Sequence, residues 1–327
     1  MTTMNRRLAG AAIAAAVALF SGAAAAQDKV SLRLNWILIG QHPPYIYGKE
    51  LGLYAKEGID LTINEGRGSG VAVQLVANGE DQFGLADAGT VIASRAKGAP
   101  VTVVMSLFDI SNLGIIARAD SGIKSIKDAV GKKIAVTPGD ALTQMWPALL
   151  ATNKIEKDKV ELVFVDAAAK PIVVLEGKAH ALLGGVDDQT ITLEAKGLKT
   201  SVVRFADAGV NTQTVSLFTS HDMIGKKPDV VRRMVRATTA AWDAARKSPE
   251  AAVDAAMKFK PGIDRAVLLA QLQAGIALID SPESKGKTIG WGSEKLWEET
   301  LDIMKTYREL KTDVPTKAHY DYSFLPQ

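Results

Sequence analysis

The chain has 327 residues, a formal charge of +3, 47% hydrophobic and 6% aromatic residues, and no cysteine. That balance excludes a basic field large enough for nucleic acid. The missing cysteine excludes disulfides, thiolate nucleophiles, Cys-ligated metals and a lipoprotein-type lipid anchor.

The first 26 residues read as a signal peptide cleaved after Ala26: Arg6 and Arg7, then the apolar run Leu8–Phe20, then the small residues Ser21–Ala26. A core of about thirteen residues is short against the roughly twenty that span a bilayer, so export to the periplasm is expected. Losing Arg6 and Arg7 takes the charge from +3 to about +1. The roughly 300 remaining residues exceed a usual single core, so two lobes are expected.

Strand-like runs follow in order at Val30–Leu34, Ile59–Ile63, Gln82–Ala86, Val101–Met105, Leu113–Ala117, Lys133–Val136, Glu161–Val165 and Ala179–Gly184. Helical segments with glycine exits lie between most of them, including Gly70–Ala77 and Gly89–Lys97. This alternation predicts α/β sheets with crossover helices. The last third turns helical. Pro228 opens one helix, whose Val231, Met234, Val235, Thr238, Trp242 and Ala245 share a face, and Ser248 is placed to cap the next. Trp242 is therefore assigned to the core. The expected division is 27–117 for the first part of lobe I, 118–210 for an inserted lobe II, and 211–327 for the return to lobe I. The crossings fall near Ala117–Asp120 and Ala208–Asn211.

Several segments together resemble one family. Leu34-Asn35-Trp36, His42-Pro43 and Gly52-Leu53-Tyr54-Ala55-Lys56-Glu57-Gly58-Ile59-Asp60-Leu61 come first, followed by Gly79-Glu80-Asp81-Gln82-Phe83-Gly84-Leu85-Ala86. Gly131-Lys132-Lys133-Ile134-Ala135-Val136 and Leu175-Glu176-Gly177-Lys178 complete the series. In this order they are similar to the periplasmic substrate-binding proteins of ABC importers for nitrate, sulfonates, taurine and thiamine pyrimidine precursors, a family whose pyrimidine branch includes a fungal synthase. The resemblance covers most of residues 30–260. It implies a two-lobed α/β periplasmic binding protein fold of type II that closes by hinge motion. It also implies a small-molecule solute, delivery by a monomer to an inner-membrane permease with its cytoplasmic ATPase, and no catalysis.

Candidate ligand residues sit at strand ends, where open α/β sheets bind ligands. Trp36 offers a stacking face, the role the resemblance gives an aromatic at this position; Asn35 can donate and accept, and Tyr45 adds a ring and a hydroxyl. His42 matches a histidine of the fungal synthase, which consumes its own histidine with pyridoxal phosphate and needs an iron-binding run of cysteines. With no cysteine here, His42 is expected to hydrogen-bond a ligand instead. The other histidines, His180, His221 and His319, lack metal-ligand spacing, so neither metal nor cofactor is expected. Ser69 and Gly70 enter a helix whose free amides suit electron-rich groups, and Gly139 and Asp140 repeat that arrangement further on. Asp87 is placed as a helix cap and acceptor. Asp187 occupies the region where the resemblance puts an acid facing the ligand. A pyrimidine-like heterocycle is the expected solute, with an organosulfonate or aromatic acid held by the Ser69, Gly70, Gly139 and Asp140 amides as the alternative. A pyrimidine-synthase-like enzyme is the alternative of another class.

Overall fold

The computed structural model describes residues 27–308 and 310–327. The signal-peptide reading of Met1–Ala26 lies outside the described residues. In chain order come β1 (Asp28–Arg33), α1 (Pro43–Glu50), α2 (Leu53–Lys56), β2 (Ile59–Asn64), α3 (Ser69–Ala77), β3 (Phe83–Asp87), α4 (Ala88–Ala96) and β4 (Val101–Ser106). Next are β5 (Leu113–Arg118), β6 (Lys133–Val136), α5 (Ala141–Thr152), β7 (Glu161–Phe164), α6 (Lys170–Leu175), β8 (Ala181–Gly185), α7 (Gln189–Ala195) and β9 (Thr200–Arg204). The chain then runs through β10 (Val215–Ser220), α8 (His221–Lys226), α9 (Pro228–Lys247), α10 (Pro249–Phe259), α11 (Arg265–Ile276) and α12 (Glu294–Arg308).

Two five-stranded mixed sheets result, ordered β2-β1-β3-β10-β4 and β7-β6-β8-β5-β9. β1 runs parallel to β2 and β3, and β6 runs parallel to β7 and β8. β10, returning from the second sheet, slots antiparallel between β3 and β4. The chain leaves the first sheet between Ser106 and Leu113, earlier than the expected Ala117–Asp120, because β5 pairs with β8 and β9. The return lies between Arg204 and Val215. All eight expected strands form; β9 and β10 are additional. β9 is short and lies at an edge, and β10 is buried on both faces, so neither shows the two-residue alternation that marks a half-buried strand.

Strand alternation assigns the faces. Phe83 and Leu85 point into one core with Tyr45, Trp242 and Leu272, while Ala86 points to the other side with Val73, Ile92 and Trp297. In the second sheet Ile115 and Ala117 join that latter core together with Met145 of α5, and Ile116 faces Val174 of α6 and Leu193 of α7. One apolar core thus runs between the lobes on the α4, α5 and α12 side. Trp242 is fully buried and meets Tyr45 and Phe108 edge to face, with centroids 6.0 and 6.1 Å away. Ser248 occupies the position before α10, but its side chain makes no cap hydrogen bond.

Candidate functional site

The first-lobe wall grows from the turn after β1. The carbonyl of Asn35 accepts from Gly68 N–H at 2.8 Å and that of Trp36 from Gly66 N–H at 3.0 Å, which lays the Gly66–Gly70 loop against the Asn35-Trp36 pair. Gly66 is required here: a Cβ would sit 1.8 Å from the Leu34 carbonyl oxygen. Ser69 Oγ donates to Asp87 Oδ2 at 3.1 Å and accepts from the Asp87 amide at 3.2 Å, so the starts of α3 and α4 are tied together. Asp87 stands at the cap position of α4 without capping it. Burial pushes its carboxyl up to about 7, against the opposing pull of the Ser69 hydrogen bond.

The second-lobe wall is gathered from four places. Asp140 caps α5, accepting from Thr143 N–H at 2.6 Å, and its other oxygen meets Lys170 Nζ at 3.1 Å. That ammonium also lies 4.6 Å from the centre of the Trp36 ring, a cation–π contact across the lobes. Asn112, in the crossing segment, donates to Asp187 Oδ1 at 2.8 Å. Asp188 and Gln189 close the wall at the entrance to α7. Burial raises Asp187 to about 6, and burial with the neighbouring Asp187 charge lifts Asp188 well above the carboxylate range.

The two walls enclose a cavity of about 50 Å³ at the strand ends. Its lining residues Gln41, Asp87, Asn112, Asp188 and Gln189 each carry one buried side-chain oxygen with no hydrogen-bond partner. Buried polar atoms are normally paired, so these five oxygens mark a surface that calls for donors.

Asn35, Trp36, Ser69, Asp87 and Asp140 come together at this cavity. Five other candidates hold different places. His42 is fully buried behind the wall: its Nδ1 accepts from Ile39 N–H at 3.1 Å and its Nε2–H donates to Asn35 Oδ1 at 3.0 Å. Burial lowers it to about 3, so the ring stays neutral and orients Asn35. Tyr45 belongs to the Trp242 core. The amide of Gly70 is taken by the Gly139 carbonyl at 3.1 Å, a contact between lobes that withdraws both residues from the lining. Asp187 is held by Asn112, and the adjacent Asp188 reaches the cavity lining instead. Sequence reasoning missed Lys170, Asn112 and Gln189 altogether. The Lys170-Pro171 helix start was the one local signal for the first of these.

Two mixed α/β lobes closing on a cavity at their strand ends define the periplasmic binding protein fold. The chain belongs to the family described as NMT1/THI5 like, whose profile matches residues 39–252. It is similar to the riboflavin-binding protein RibY of Chloroflexus aurantiacus, 24% identical over 309 residues that cover 91% of this chain and 86% of that one. It also resembles the 4-amino-5-hydroxymethyl-2-methylpyrimidine phosphate synthase of Legionella pneumophila, 26% identical over 247 residues, 72% of this chain and 75% of the other. Among solved structures, the alkanesulfonate-binding protein SsuA of Xanthomonas axonopodis pv. citri, bound to MOPS, shares the fold with a TM-score of 0.72 at 14% identity, covering 91% and 99% of the two chains. The nitrate-binding protein NrtA of Synechocystis gives 0.59 at 15% identity, covering 88% and 92%.

Proposed function

We propose that the chain is the periplasmic solute-binding component of an ABC importer, and that its solute is a single-ring nitrogen heterocycle rich in N–H donors, of the aminopyrimidine class. The observation that carries this reading is the set of five buried acceptor oxygens lining the cavity, two of them on the carboxylates Asp87 and Asp188. Trp36 offers the flat face against which such a ring would stack. The sulfonate alternative loses support because the amides of Gly70 and Asp140 already donate to Gly139 and Thr137. The synthase alternative loses support because His42 is enclosed, with both ring nitrogens bonded inside the protein.

A thermal-shift screen over aminopyrimidines, sulfonates, nitrate, riboflavin and aromatic acids tests the reading. A ligand at 100 times its Kd adds about 2.7 kcal/mol of stability. Stabilisation by aminopyrimidines is the expected result, and stabilisation by sulfonates alone would overturn it. Incubation with pyridoxal phosphate and iron is expected to leave the His42 imidazole intact by mass spectrometry; its loss would establish the enzyme instead.

A further inference from the structure

Gln271 is the buried side chain that joins the two walls at the cavity. It lies on α11, whose Leu268 and Leu272 are fixed in the first-lobe core. Its Oε1 accepts from Gly40 N–H at 3.1 Å, within the first-lobe segment that brings Ile39 and Gln41 to the cavity. Its Nε2 donates to the Asp188 carbonyl at 3.0 Å and to Thr192 Oγ1 at 2.9 Å, both in the second lobe. Thr192 Oγ1 in turn donates to the same Asp188 carbonyl at 3.0 Å, so two donors converge on the backbone of the residue whose carboxylate lines the cavity. Gly40 fits tightly under this arrangement, since a Cβ there would meet the Gln271 Cβ at 2.3 Å.

The place of this contact in the fold gives it a role. α5 and α7 cover opposite faces of the second sheet, as the split of Ile115 and Ile116 between cores shows. On the α5 face the lobes meet mainly through apolar packing against α4 and α12, with the Gly70–Gly139 hydrogen bond beside it. On the α7 face they meet through Gln271 and through the Lys170–Trp36 contact, and of these only Gln271 makes hydrogen bonds across the lobes. Apolar packing is non-directional and tolerates sliding, whereas the two hydrogen bonds that the Gln271 amide donates across the lobes hold only over a narrow range of relative positions.

We infer that Gln271 is a positioning residue: a latch that holds the lobes closed over the solute and sets the Asp188 carboxylate. The inference takes the cavity between the walls as the solute site, so it rests on the reading above. Closure then owes part of its stability to this contact, and an occupant that favours the closed arrangement shifts the same equilibrium.

The chain has no cysteine, so spin or fluorescent labels can be placed cleanly at Lys49→Cys on the first lobe and Lys196→Cys on the second, both exposed. Inter-label distances are measured in buffer and with 4-amino-5-hydroxymethyl-2-methylpyrimidine as probe. Gln271→Ala, and the milder Thr192→Val, are each expected to move the distance distribution toward an open arrangement. With the probe, each is expected to speed dissociation about tenfold while changing association less. Distances and dissociation like wild type in both variants would overturn the latch, even if Gln271→Ala lowers the melting temperature, because that pattern belongs to a purely structural side chain. Should the probe fail to bind wild type, the solute reading fails, and the label distances in buffer alone still decide the latch.

Discussion

The two walls of the cavity are built in different ways. The first-lobe wall comes mainly from one continuous stretch, Leu34–Gly70, with Asp87 added from the end of β3. Backbone hydrogen bonds between the Asn35-Trp36 turn and the Gly66–Gly68 loop hold it, and a neutral histidine behind it fixes the Asn35 side chain. The second-lobe wall is assembled from Asn112, Asp140, Lys170 and the Asp187–Gln189 turn, residues scattered over nearly eighty positions and held by side-chain charge and hydrogen bonds. A contiguous wall is positioned by local folding, whereas a dispersed one is positioned only once its sheet has formed. The two should therefore fail differently when perturbed.

The largest effect is expected behind the first wall. Trp242→Ala empties the contact with Tyr45 and Phe108 and should cost about 3–5 kcal/mol in chemical denaturation. A loss under 1 kcal/mol would show that Tyr45 is not anchored in this core. At the second wall, Asp188→Ala should weaken the solute by roughly 1.5–3 kcal/mol, read as a ten- to hundredfold rise in Kd. Because it removes a buried carboxylate that lacks a partner for one oxygen, the melting temperature should hold or rise. Lower stability with unchanged affinity would place Asp188 in the scaffold.

The pH dependence divides the first wall itself. Asp87 rises from 3.8 to about 7 on folding, so across that window the folded chain keeps a proton that the unfolded chain has released. Its contribution is fully present below pH 3.8 and is lost as pH rises through about 7. His42 acts in the opposite sense: lowered from 6.5 to about 3, it contributes above pH 6.5 and loses that contribution as pH falls toward 3. Asp87→Asn should therefore gain on the order of 1–2 kcal/mol over wild type at pH 8 and nothing near pH 3.5, by thermal melts across the series. A constant difference between variant and wild type would refute the buried ionisation. The smallest effect belongs to Tyr45→Phe, whose hydroxyl has no partner: stability within about 0.5 kcal/mol and unchanged affinity. A measurable loss of binding would return Tyr45 to the site.

Much of this was legible in the sequence because local signals carried it. Alternating runs bounded by glycines marked eight strands, and the helical stripe of α9 placed Trp242 in the core. Strand ends followed by helix starts located Asn35, Trp36, Ser69, Asp87 and Asp140. What escaped depends on distance. No local pattern distinguishes a histidine facing a ligand from one facing Asn35, and nothing near Lys170 shows that its ammonium pairs with Asp140 and covers Trp36. The amides of Gly70 and Gly139 looked alike as donors, but the approach of the lobes turned one of them toward the other's carbonyl. Asp187 and Asp188 are adjacent, and only the turn into α7 decides which one lines the cavity.

The central claim is that an acceptor-rich cavity selects an N–H-rich ring, and calorimetric titration with a matched pair of ligands tests it most directly. The pair is 4-amino-5-hydroxymethyl-2-methylpyrimidine and the analogue in which a methyl group replaces the amino group. The predicted result is at least about tenfold tighter binding of the amino compound, a difference abolished by Asp87→Ala together with Asp188→Ala. Equal affinity for the two, or binding of alkanesulfonates in preference to both, would contradict it.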